Sequence, residues 1–66
     1  MIDLKEVQDR LRLIEETKWD DESAHGLEDT LYIEVLEAVA AGHPESAALA
    51  AEVLKARDID FARWCA

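Results

Sequence analysis

The chain has little of what builds covalent or metal-linked frameworks. It contains one cysteine, one proline and two glycines in 66 residues. A single thiol, Cys65, cannot form an internal disulfide, and one cysteine with two histidines falls short of the usual four ligands of structural zinc. We therefore expect no metal or other cofactor. Since a chain this short buries little surface, dense helix packing or self-association must stabilise it.

Long apolar runs are absent too. No stretch approaches the ~20 apolar residues that span a bilayer. The start, Met1-Ile2-Asp3, lacks the basic residues and the apolar run of a secretory leader. A lone thiol also suits a reducing compartment. These absences predict a cytoplasmic protein that does not bind membranes.

Basic residues are missing from the middle of the chain. The net charge of the whole chain is −9, and between Lys18 and Lys55 there is no Lys or Arg. Such a surface repels phosphates, so direct nucleic-acid binding is not expected. It attracts basic protein surfaces, although acidity also keeps small proteins soluble. The predicted partner-binding residues are Glu34, Glu37, Glu45 and Glu52.

What the chain does have is helical periodicity, which is strongest in residues 21–41. Asp20 or Asp21 suits the N-cap. At about 100° per residue, one side of this helix is apolar. It carries Ala24, Leu27, Leu31, Val35, Ala38 and Val39, widened by Tyr32, Leu36 and Ala40. An arc this broad indicates packing on more than one neighbour.

Start and stop signals divide the rest. Asp3 with Glu6 resembles a capping box, and Gly42 with Pro44 separates two helices. We predict an all-α fold, a three-helix bundle with a short C-terminal helix, forming a single domain over residues 1–66. The predicted helices are 3–18, 21–41, 44–57 and 59–65.

Four further bulky side chains carry predictions of their own. Trp19, after the first helix, is predicted to cover the core. Phe61 and Trp64 are rare residue types in disordered tails, so the C-terminal segment should dock on the body of the protein or, as the alternative, on a partner. Leu13 lies off the apolar stripe of the first helix, which favours a homodimer.

A polar cluster accompanies the long helix. His25, Glu28, Asp29 and Tyr32 are three or four residues apart, so they share a face. One interpretation is a small site for a divalent metal or another cation. The favoured interpretation is a group of side chains that satisfy one another at the edge of the core.

The stretch HGLEDTLYIEVLEAVAAG and the ending IDFARWCA resemble a family of small proteins encoded by actinobacteria and their phages. The resemblance covers residues 20–66 and implies an intracellular protein with no assigned catalytic residues. By analogy, phage proteins of this size often modulate a host protein.

These observations predict a regulator or inhibitor that binds a protein partner and is not an enzyme. One alternative is a magnesium-dependent all-α nucleotide pyrophosphohydrolase, because Glu34 and Glu37 form an E-x-x-E pair. The second E-x-x-D pair of such enzymes is missing. Another alternative is an acidic mimic of DNA that blocks a nucleic-acid-binding protein.

Overall fold

Three helices make up the protein in the computed structural model, which describes residues 1–63. Helix α1 is Leu4–Thr17, α2 is Asp21–Ala40, and α3 is Ser46–Val53, continued by a 3₁₀ segment, Leu54–Asp58. Each helix contacts the other two, which confirms the predicted three-helix bundle. Within residues 1–63, no helix combines the length and the apolar character needed to cross a membrane.

Carboxylates fix where the first two helices begin. The Asp3 carboxylate accepts a hydrogen bond from the Glu6 N–H at 2.8 Å. The Asp20 carboxylate accepts one from the Ser23 N–H at 3.3 Å. Each bond satisfies a backbone donor that has no partner inside its own helix. Both caps were predicted, with Asp20 now chosen over Asp21.

The core lies where the three helices meet. Its largest fully buried side chains come from all of them: Val7 and Ile14 of α1, Leu31 and Val35 of α2, and Leu49 of α3. Ile2 and Phe61 join the same cluster from the two ends of the described chain. The tail therefore docks on its own chain through Phe61, as predicted.

The turn after α2 depends on Gly42. The His43 N–H donates to the Ala38 carbonyl and the Gly42 N–H donates to the Val39 carbonyl, both at 3.0 Å. This is a Schellman motif, which requires a left-handed residue, and Gly42 has φ 83°. His43 Nδ1 then accepts the Glu45 N–H at 2.9 Å. Because Pro44 and Glu45 form a turn, α3 begins at Ser46, two residues later than predicted.

The two glycines should respond oppositely to alanine. Gly42→Ala should lower the free energy of unfolding by about 1–2 kcal/mol, because an L residue is strained at positive φ. Gly26 lies in α2, and a Cβ there would meet nothing within 4 Å. Gly26→Ala should therefore raise stability by up to about 1 kcal/mol. Urea titrations followed by circular dichroism measure both changes, and shifts of the same sign would contradict this account.

Two predictions about bulky residues need correction. Trp19 does not cover the core, because its side chain is 83% exposed. The Asp20 N–H donates to the Thr17 carbonyl at 2.9 Å, and this tight turn leaves the indole outside. The predicted C-terminal helix 59–65 is also wrong over residues 59–63, which are not helical. Trp64 and Cys65 lie outside the described residues.

Candidate functional site

A buried ion pair joins the middle of α2 to the C-terminal segment. The Glu28 side chain is almost completely buried, and the residue is 3% exposed. Arg63 Nε donates to Glu28 Oε1 at 2.9 Å, and Arg63 Nη2 donates to Oε2 at 2.8 Å. A two-point contact of this kind orients both groups as well as neutralising them. The pairing was not predicted from the sequence.

The same guanidinium organises the backbone around it. Arg63 donates to the carbonyl oxygens of Ala56, Ile59 and Phe61 at 2.9, 3.1 and 3.2 Å. It also lies over the Phe61 ring, 3.9 Å from the centroid. The hydrogen bond that Arg63 donates to Glu28 is the largest influence on the pKa of Arg63 and raises it above its ordinary value. The hydrogen bonds of Arg63, and not the predicted helix, therefore fix the course of residues 59–63.

A second contact ties the segment to the start of α2. The Ala62 N–H donates to Asp21 Oδ1 at 3.1 Å. Because Asp21 and Glu28 lie seven residues apart, they occupy the same side of α2, about 10 Å apart along its axis. Residues 59–63 thus run along the N-terminal half of α2 and cover that side.

The predicted polar cluster forms only in part. His25 Nε2 lies 3.4 Å from Asp29 Oδ1. Glu28 is turned towards Arg63 instead, so the two carboxylates have different partners. Among the described residues, His25 Nδ1 is buried without a hydrogen-bond partner. Burial first, and then the charge of Glu28, raises the pKa of the Tyr32 phenol, so it stays protonated at neutral pH.

A cation could approach this cluster, but it would meet competition. Ligand atoms of His25, Glu28 and Asp29 lie within 4.8 Å of one another. Both oxygens of Glu28 already accept hydrogen bonds from Arg63. A metal ion would therefore compete with a guanidinium that already binds the carboxylate at two points. The geometry disfavours a metal site, and it fits the mutual-satisfaction interpretation only for His25 and Asp29, because Glu28 pairs with Arg63.

The four predicted partner-binding glutamates have different environments. Arg10 of α1 donates to both oxygens of Glu34, at 3.3 and 2.8 Å, and this contact lowers the pKa of Glu34. Glu52 is half-buried and pairs with Lys55 at 3.1 Å. Glu37 and Glu45 are exposed. Glu34 is therefore engaged in holding α1 against α2, which does not favour a role for the E-x-x-E pair in binding magnesium.

An apolar groove of about 250 Å³ lies between α2 and α3. Its α2 wall includes Leu36, whose side chain is 65% exposed, and Val39. Its α3 wall ends at the exposed Leu54. The lining residues are Tyr32, Val35, Leu36, Val39, Ala50, Val53 and Leu54. A signal for this groove is visible in the sequence, since the apolar arc of α2 is too broad for one neighbour.

Comparison with known proteins adds no relative. The chain matches no protein-family model, and searches of curated proteins and of solved structures find no match. The resemblance to small proteins of actinobacteria and their phages therefore stays a prediction.

Proposed function

We propose that this protein acts by binding a protein partner that presents apolar side chains within a basic surface. The observation that carries the proposal is the groove between α2 and α3. Leu36 and Leu54 are exposed on its two walls. Other leucines of this chain, such as Leu31 and Leu49, are buried in the core. A contiguous exposed apolar surface marks an interaction site more often than scattered single apolar residues do.

Charge restricts the kind of partner. All the residues that line the groove lie between Lys18 and Lys55, an interval that contains no Lys or Arg. Glu37 and Asp29 are exposed on the same helix that forms one wall. A basic surface would be drawn to this side by long-range attraction, whereas an acidic surface or a phosphate backbone would be repelled.

This activity is that of a regulator or inhibitor in the cytoplasm, and no chemical step is assigned to it. The resemblance to phage proteins gives this proposal an analogy and no residue-level support. The exposed glutamates contribute by steering and by excluding acidic competitors. The apolar groove contributes the contact area on which affinity mostly depends.

The proposal predicts that capture of partners depends on the groove. Immobilised wild-type protein and a Leu36→Asp variant would be incubated with lysate of the source cells and compared by quantitative mass spectrometry. Proteins bound by wild type should be lost from Leu36→Asp, because a carboxylate in the groove opposes apolar contact. They should also be released by about 1 M salt, where the Debye length falls to about 3 Å.

Leu13→Asp is the matched control, since Leu13 is an exposed leucine on α1 outside the groove. It should retain the same proteins, and thermal melts should show that both variants stay folded. Equal loss in the two variants would contradict the groove as the site. Unchanged capture by Leu36→Asp, together with displacement by DNA, would favour the acidic DNA mimic instead.

A further inference from the structure

We infer that the groove receives an amphipathic helix of the partner, with an apolar face and with Lys or Arg along its edges. This inference rests on the proposed function and specifies what the partner presents. It follows from the shape of the groove, from the position of α1 and from the charges that border the groove.

The shape fits a helix that lies beside α2 and α3. Tyr32, Leu36 and Val39 follow one another at the four- and three-residue spacing of one helix face, over about 10 Å. On the other wall, Ala50 is small, which allows a neighbouring helix axis to approach closely. Leu54 borders the same wall. Two helices that display side chains in this way offer the ridges and grooves that helices pack into.

Helix α1 shows that the α2–α3 pair already accepts a helix on its other side. Arg10 of α1 binds Glu34, which is two residues from Leu36 and therefore points to nearly the opposite side of α2. The groove is thus the face of the pair that α1 leaves open. A fourth helix there would complete a four-helix bundle. Arg10 also provides a precedent for an arginine that meets an acidic residue of α2 at the edge of the contact.

The bordering charges select a basic helix over a second copy of this chain. Asp29 lies seven residues before Leu36 on α2, so it is on the groove side of that helix, and it is exposed. Leu54 begins the 3₁₀ segment, in which residues three apart share a side, so Arg57 is the charged residue on the groove side there. The positive charge of Arg57 opposes the rise in the pKa of the Tyr32 phenol and offsets part of the acidity at this end. Helix α2 has no basic residue, so two copies that met through their α2 helices would set acid against acid.

Three synthetic helical peptides of about 14 residues, or about 21 Å, test the inference. One has leucine at helix-face spacing with lysine along its edges. The second replaces the lysines with glutamates, and the third scrambles the lysine peptide. Binding would be followed by fluorescence anisotropy in low-salt buffer with wild type, Leu36→Ala and Leu13→Ala. The lysine-edged peptide should bind wild type and Leu13→Ala equally, and Leu36→Ala at least about tenfold more weakly, or 1.4 kcal/mol.

The other outcomes overturn the inference. Equal binding of the lysine and glutamate peptides would refute the role of charge. Equal binding of the scrambled peptide, which has the same composition without the leucines on one helix face, would refute the need for an amphipathic helix. A free protein that sediments as a dimer, and becomes monomeric in Leu36→Ala, would assign the groove to a second copy. If capture of lysate proteins depends on Leu36 but no peptide binds, the helix inference fails while the proposed function stands. If the lysine-edged peptide binds but no lysate protein depends on Leu36, the proposed function fails while the groove is still shown to bind a basic helix.

Discussion

Replacing Arg63 with methionine should lower the free energy of unfolding by about 3 kcal/mol. Removing one partner of a buried ion pair typically costs about 3–5 kcal/mol, because the other charge stays buried without compensation. We place this case at the low end because the Arg63 side chain is 33% exposed. Three carbonyl oxygens lose a donor in the same step. Urea unfolding followed by circular dichroism measures the loss.

Arg57→Met provides the matched control for this change. Arg57 is exposed, so the same substitution there should alter stability by no more than about 0.5 kcal/mol. A double variant, Glu28→Leu with Arg63→Met, should recover part of the loss, since it leaves no buried charge without a partner. If Arg63→Met behaves like Arg57→Met, the ion pair does not hold the segment in solution.

The second large effect should come from Leu31. This side chain is completely buried in α2, and Leu31→Ala should cost about 2–5 kcal/mol from lost transfer energy and the cavity left behind. A domain of this size has only a few kcal/mol of net stability, towards or below the low end of the usual range of about 5–15. Much of the Leu31→Ala population should therefore be unfolded at room temperature, as seen in its far-ultraviolet circular dichroism.

Leu36→Ala is the comparison, because it makes the same chemical change on the same helix at a position that is mostly exposed. Its unfolding midpoint should lie close to that of wild type, with a difference of no more than about 0.5 kcal/mol. The two leucines thus separate stability from binding. A large loss of stability in Leu36→Ala would show that the groove is closed in solution.

Local patterns in the sequence were enough to predict the bundle. Asp3 and Asp20 cap their helices by accepting hydrogen bonds from backbone N–H groups three residues later in the chain. Gly42 ends α2 in a turn whose hydrogen bonds also span only a few residues. Such interactions depend on short spacings, which a sequence displays directly. The periodicity of α2 likewise placed Leu31 and Val35 in the core.

Interactions between distant residues were not accessible in the same way. Arg63 and Glu28 are 35 positions apart, and no spacing rule connects them. The available hint was the buried position of Glu28 on the α2 wheel, which required a basic partner from elsewhere. Trp19 shows the converse, since residue type suggested burial while the tight turn placed the side chain outside.

The distance along the chain between Arg63 and Glu28 has a consequence for the kinetics of folding. Helix formation and contacts between successive helices close short loops, whereas the Arg63–Glu28 contact closes a loop of 35 residues. The entropy lost in closing that loop has to be offset before the contact stabilises the chain. We therefore expect this contact to form late in folding, after the rate-limiting step. Interactions formed at that stage slow unfolding without speeding folding. The guanidinium of Arg63 should accordingly govern how long the native state persists once formed, while the three helices should set the rate at which the chain reaches that state.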